Sequence, residues 1–135
     1  MKKLLINIFL VALIALGCTK SEHHSETIND SNPQIKKNER YYQELWCNQH
    51  NGIMEYVLPD RSRIDCLTDT HAIEFDFAKK WQEAIGQSLY YSAQTEKKAG
   101  VVLIIKKTNE NKYIQRFEKT IKTFNLPVDY WIIEP

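Results

Sequence analysis

Val101-Val102-Leu103-Ile104-Ile105 is an unbroken apolar run, β-branched at every position but one. A strand with one wet face alternates apolar and polar residues; a run without alternation belongs to a strand covered on both faces. Covering both faces takes helices on each side of a sheet, and the neighbouring segments supply them. Residues 79–95 read as a helix interrupted only by Gly86, and residues 112–124 as an amphipathic helix with Ile114, Phe117, Ile121 and Phe124 on its apolar side. Asn125-Leu126-Pro127 breaks that helix, and residues 128–133 close as a last strand. Upstream, residues 38–50 bring Tyr41, Leu45 and Trp46 together at helical spacing, with Asn51-Gly52 as a stop. Residues 53–58 and 63–67 read as a hairpin around Pro59-Asp60-Arg61-Ser62, followed after Thr68-Asp69-Thr70 by a strand over residues 72–77. The order is helix, three strands, helix, strand, helix, strand. It predicts an α/β fold, a three-layer sandwich around a mixed central sheet.

The start of the chain is of another kind. Lys2 and Lys3 precede Leu4 to Leu16, thirteen residues without a charge. As a helix that run covers about 20 Å, short of the ~30 Å hydrocarbon core of a bilayer. A basic start, a short apolar run and small residues after it describe a secretory signal over residues 1–17. Ala15-Leu16-Gly17-Cys18 resembles the lipobox of bacterial lipoproteins, in which the cysteine is lipidated and becomes the mature N-terminus. It departs from that pattern at Ala15, where leucine is usual, and Ala15-x-Gly17 also fits an ordinary signal-peptidase site. The expectation is an exported protein on the periplasmic or cell-envelope face, with Cys18 as the candidate lipid attachment to a membrane. Residues 18–37 are polar and read as a flexible tether, with His23 and His24 solvated rather than metal-ligating. The folded domain is then 38–135.

Of the 18 Lys and Arg, Lys2 and Lys3 fall within the signal, leaving 16 basic against 17 acidic residues in the remainder. That balance excludes a strongly basic protein that coats nucleic acid. Export also bears on the cysteines. Cys47 and Cys66 are disulfide candidates in an oxidising compartment, the alternative being two buried thiols. No CxxC or HExxH, Gly-rich phosphate loop or GxSxG elbow occurs, so zinc ribbon, zincin, NTPase and α/β-hydrolase are unsupported.

The unusual feature is acid on strands that otherwise look buried. Asp65 lies between Ile64 and Cys66, and Glu74 and Asp76 occupy alternate positions of the next strand, on one face. If the strands pair, three carboxylates converge, which is costly unless a proton or a cation neutralises them. Oxygen clusters of this kind suit Mg²⁺ or Mn²⁺. The plain alternative is a solvated face of an edge strand.

Asp65, eight intervening residues, and Glu74-Phe75-Asp76 resemble the PD-(D/E)XK motif of restriction-endonuclease-like nucleases. Gln87-Ser88-Leu89-Tyr90-Tyr91 in the following helix is similar to the QxxxY motif of the RecB-type branch. The element order matches that superfamily's αβββαβ core, with a further αβ after it, and the likeness extends over residues 38–135. It implies Asp65 and Glu74 as metal ligands with the Phe75 carbonyl as another, Glu44 as an additional acid of the first helix, and Gln87 and Tyr91 orienting the substrate strand. The implied cofactor is Mg²⁺ or Mn²⁺, the implied partner nucleic acid, DNA before RNA, and the implied reaction phosphodiester hydrolysis. The chain departs from the family at the motif's last position, where Asp76 stands in place of lysine. Lys80, Ala84, Gln87 and Tyr91 share one helical stripe. Lys80 is therefore the candidate substitute for the missing ammonium, against a plain surface lysine. Asp76 is either a further metal ligand or the ion-pair partner of Lys80 in a fold without activity, and a binding module on this fold is the alternative function. Tyr41, Tyr42, Trp46, Trp81 and Tyr90 read as core aromatics, and Lys106, Lys107 and Lys112 as a solvated turn rather than phosphate contacts.

Overall fold

In the computed structural model, which describes residues 23–26 and 37–134, the chain runs through nine regular elements. They are strand β1 (His23–Glu26), helix α1 (Glu39–Gln49), strands β2 (Ile53–Val57), β3 (Arg63–Leu67) and β4 (His71–Phe77), helix α2 (Trp81–Thr95), strand β5 (Lys98–Ile104), helix α3 (Asn111–Thr123) and strand β6 (Val128–Ile133). Single 3₁₀ turns, Ala78–Lys80 and Thr108–Glu110, lead into α2 and α3. The strands form one sheet in the order β1-β6-β5-β4-β3-β2, parallel from β1 to β4 and antiparallel from β4 to β2. This is the α/β sandwich with a mixed sheet that the element order predicts.

β5 is the central strand, and its run is buried on both faces. Val102 and Ile104 pack with Tyr42, Trp46 and Cys47 of α1 and with Ile73 and Phe75 of β4. Val101 and Leu103 pack with Ala84 and Ile85 of α2 and with Ile114, Phe117 and Ile121 of α3. One helix therefore covers one side of the sheet and two cover the other.

α1 starts where the Asn38 side chain accepts a hydrogen bond from the Tyr41 N–H. α1 and α3 stop in the same way. Asn51 and Asn125 adopt left-handed backbone angles, φ 52° and 48°, and the next residue's N–H returns to a carbonyl of the last turn. Gly52 N–H donates to the Cys47 carbonyl and Leu126 N–H to the Ile121 carbonyl, each at 2.9 Å. The asparagines make these turns; Gly52 is needed for another reason. Cys47 and Cys66 are joined in a disulfide, Cα to Cα 5.8 Å, that ties α1 to β3. A β-carbon on Gly52 would run into both sulfurs. Phe124, expected on the apolar side of α3, lies beyond the helix and is largely exposed, because the left-handed turn at Asn125 redirects the chain.

The polar stretch read as a tether, 18–37, contributes strand β1, which pairs in parallel with β6 from His23↔Tyr130 to Glu26↔Ile133. Its composition concealed this, since edge pairing is made by backbone groups and needs no apolar side chain. The signal segment 1–17, Cys18 and most of the tether lie outside the described residues. Among the described residues no helix is long and apolar enough to cross a membrane.

Candidate active site

β4 carries two chemistries by simple alternation. Ile73 and Phe75 face α1, while Ala72, Glu74 and Asp76 face the side of α2. Its pairing is uneven as well. β4 matches β5 residue for residue from His71↔Lys98 to Phe77↔Ile104, but it meets β3 only at Cys66↔Ile73 and Leu67↔Ala72. Beyond those pairs a side chain takes over from the backbone ladder. Asp65 Oδ2 accepts from the Phe75 N–H at 2.8 Å.

The acids gather at this opening. Glu74 is 5% exposed, and its Oε2 is buried without a hydrogen-bond partner among the described residues. Burial, reinforced by the nearby charges of Asp65, Asp76 and Glu39, pushes the Glu74 carboxyl up to about 9, so it holds a proton at neutral pH. Asp65, whose charge is among those acting on Glu74, has its own carboxyl raised to about 6, mainly by burial. Asp76 is 3% exposed and is likewise raised to about 6 by burial, then by the charge of Glu39. Its Oδ1 accepts from the Phe77 N–H at 2.8 Å and lies 3.6 Å from Lys80 Nζ.

The helical stripe falls beside these acids. Lys80 ends the 3₁₀ turn, half exposed, between Asp76 and Glu83, whose Oε2 is 3.5 Å from the ammonium. The Asp76 charge is the main cause that raises the Lys80 pKa. Tyr91 is buried, accepts from Gln87 Nε2 at 3.3 Å, and senses the charges of Glu74 and Asp65. Asp65, Glu74, Asp76 and Lys80 thus lie close to one another, with Tyr91 within range of their charges and Gln87 held against Tyr91.

Glu44 is not among them. It is exposed and paired with Arg40 at 3.1 Å. The acid that α1 contributes is Glu39, whose own pKa is raised mainly by burial and whose charge helps to raise that of Asp76. Helical spacing contains this correction. Glu39 precedes buried Tyr42, Gln43 and Trp46 by three, four and seven positions, so it shares their face, and Glu44 does not. Gln43 also escaped the sequence reading. Only 4% exposed, it donates from Nε2 to the Asp65 carbonyl at 2.7 Å and to Glu55 Oε1 at 2.9 Å. Glu55 occupies a left-handed conformation within β2, φ 54°, with its carboxylate also bound by Arg63 at 2.9 Å. Those hydrogen bonds hold the Glu55 carboxyl below its ordinary range.

The comparisons with known proteins leave the site to be read from its own geometry. No family model matches the chain, and no curated protein or solved structure matches it either. The donors fit a hard divalent cation in kind, since all are carboxylate oxygens and one of them, Glu74 Oε2, is buried and unpaired. They are not drawn together around a cation position. Among the described residues no three His, Cys, Asp or Glu form a group that could hold a metal ion. What the arrangement has in place is three acids with raised pKa values beside one ammonium, toward the carboxyl ends of parallel β4 and β5. In open α/β sheets that edge is where ligands bind.

Proposed function

We propose that the chain is an exported nuclease-like protein of PD-(D/E)XK type, acting on the phosphodiester bonds of nucleic acid, DNA in the first place. The observation that carries this reading is Glu74 Oε2, a buried carboxyl oxygen with no hydrogen-bond partner among the described residues, close to the charges of Asp65, Asp76 and Glu39. An acid so placed costs stability for as long as it serves packing alone. Asp65, Glu74 and Asp76 would hold Mg²⁺ or Mn²⁺, with Glu39 in place of Glu44 as the acid from α1. Such a cation, when bound, supplies activation of water and stabilisation of charge on the phosphate. Lys80 provides the positive charge that the family draws from the position of Asp76, and the Gln87–Tyr91 pair fixes the wall of the site. Gln43 holds the backbone of Asp65 in place. The reading includes export, with a lipid on Cys18 as the link to a membrane.

A second reading keeps the fold and drops the chemistry. The observation in its favour is the Lys80–Asp76 ion pair, 3.6 Å apart, which sets the two charges against each other without substrate. The module would then bind rather than cleave.

Calorimetry of Mn²⁺ and Mg²⁺ binding to the full chain, beside Glu74→Ala, separates the two, with cleavage of single- and double-stranded DNA and RNA followed on the same samples. Binding that is lost in Glu74→Ala, together with metal-dependent cleavage, supports the nuclease reading. Cleavage that survives Lys80→Ala would remove Lys80 from it. Absence of binding at millimolar metal would leave the binding module.

A further inference from the structure

We propose that the C-terminal half of α3, with Phe124 at its end, is the surface on which the domain lies against a bilayer of anionic phospholipid. The inference rests on the export and lipid-tether part of the reading above and adds which side of the fold the tether brings to the membrane. It does not depend on the carboxylates.

α3 divides cleanly between its two sides. Ile114, Phe117 and Ile121 are buried in the core. Lys112, Arg116 and Lys119 follow one another at spacings of four and three on the exposed side, and Lys122 closes the last turn. The one acid of the helix, Glu118, is half-buried and accepts a hydrogen bond from the Tyr130 hydroxyl at 2.8 Å. Lys112 and Arg116 lean on the Tyr113 ring, 5.1 and 5.8 Å from its centre. Among the described residues none of the four cations is ion-paired with a carboxylate. Beyond Lys122 stands Phe124, 71% exposed, more than any other large apolar side chain described. The backbone after it is held by two bonds of 2.9 Å, Leu126 N–H to the Ile121 carbonyl and Val128 N–H to the Leu126 carbonyl. The ring therefore projects from a fixed turn.

The tether enters at the same end. α3 leads from the carboxyl end of β5 back to the amino end of β6, so Phe124 stands at the amino edge of the sheet. β1 pairs in parallel with β6 from His23↔Tyr130 onward, so the chain also enters the sheet at that edge. Cys18 precedes His23 by five residues, a reach of roughly 17 Å at most. A lipid on Cys18 brings the amino edge down to the headgroups, and with it Lys119, Lys122 and Phe124. Cations against anionic headgroups and an aromatic ring at the interface are the contacts by which a peripheral surface binds a bilayer. The same cations would suit a nucleic acid, but the acids that would cut it lie toward the other edge. Docking in this way leaves their crevice facing away from the membrane.

The test is an amine-labelling footprint, read residue by residue by mass spectrometry, on the chain as a bacterial host processes it. The protein is reconstituted on vesicles of phosphatidylcholine alone, or of phosphatidylcholine and phosphatidylglycerol in equal parts. One cation near an anionic surface strengthens binding about fivefold, so Lys119 and Lys122 should be modified at least about fivefold more slowly on the anionic vesicles. Lys79 and Lys107, exposed at the carboxyl edge, should be modified equally on both. Phe124→Ala should shrink the protection and Phe124→Trp should keep it. The intact mass of the same preparation reads the lipid on Cys18. A lipidated chain whose Lys119 and Lys122 are modified equally on both vesicles overturns the docking and leaves the tether standing. Protection of those lysines by a DNA duplex and not by vesicles also overturns it, and assigns the face to nucleic acid. A chain without lipid on Cys18 overturns the tether, and the docking falls with it.

Discussion

The two flanks of β4 differ in how they satisfy one backbone. Toward β5 every residue from His71 to Phe77 has a strand partner, and the side chains on both faces of β5 are apolar and buried. Toward β3 the ladder ends after its second pair, and from there Asp65 supplies the acceptor that a strand would have supplied. The first flank is stable because water is excluded from apolar surface, and it needs no particular chemistry. The second is held by one disulfide, one buried amide and a set of acids with raised pKa values. Polar groups in low dielectric stabilise only when fully partnered, so the second flank has little margin. Its least satisfied point is Glu74 Oε2, buried without a hydrogen-bond partner among the described residues.

The largest effect separating the two flanks belongs to the apolar one. Phe117 is fully buried against the Tyr130 ring, with 5.0 Å between ring centres. Phe117→Ala should lower the unfolding free energy by about 3–5 kcal/mol in urea titrations. A loss below about 1 kcal/mol would mean that this half of the core is far looser than its burial implies. Opening the Cys47–Cys66 bridge should cost about 3 kcal/mol, from the loop it closes. A melt with and without reductant measures this, and Cys66→Ala should make the melt insensitive to reductant.

Smaller still is the effect of the stand-in acceptor. Asp65→Ala leaves the Phe75 N–H without its carboxylate and should cost about 1–3 kcal/mol near pH 4, where relief of charge repulsion does not mask the loss. Asp65→Asn, which keeps an acceptor oxygen, should cost less. Equal losses in the two variants would show that the ladder closes without help.

The last test is a slope, read per pH unit. Glu74 has an ordinary pKa of 4.5 and a folded value of about 9, so the folded chain keeps a proton that the unfolded chain releases. Its stabilising contribution is complete below about pH 4.5 and is lost as pH rises toward 9, by at most ~1.4 kcal/mol per pH unit. Asp65 and Asp76, raised from 3.8 to about 6, act in the same direction over that narrower window. Unfolding free energies measured from about pH 5 to 9 should therefore fall, and Glu74→Gln should flatten the upper part of the fall. An unchanged slope in the variant would place the proton elsewhere.

Much of the site was legible because its signals are local. Strand alternation puts Glu74 and Asp76 on one face, and helical spacing puts Lys80, Gln87 and Tyr91 on one stripe; both are properties of a single element. Glu39 was legible too, through its distance from Tyr42 and Trp46, although the resemblance pointed to Glu44. Gln43 was not, because its role joins three elements. An amide that bridges Asp65 and Glu55 has no pattern within α1, where it passes for an ordinary polar residue.

The sequence by itself determined the element types, the covered central strand and the order that makes an α/β sandwich, since hydrophobic period and turn chemistry are written residue by residue. It also limited the cysteines to a bridge or two buried thiols. Tertiary structure decided where β3 leaves β4, that β1 joins the edge of β6, that Gly52 makes room for two sulfurs, and which acid of α1 reaches Asp76. Those depend on how separate elements meet in space, and on the dielectric each carboxylate finds there, which no single stretch of sequence records.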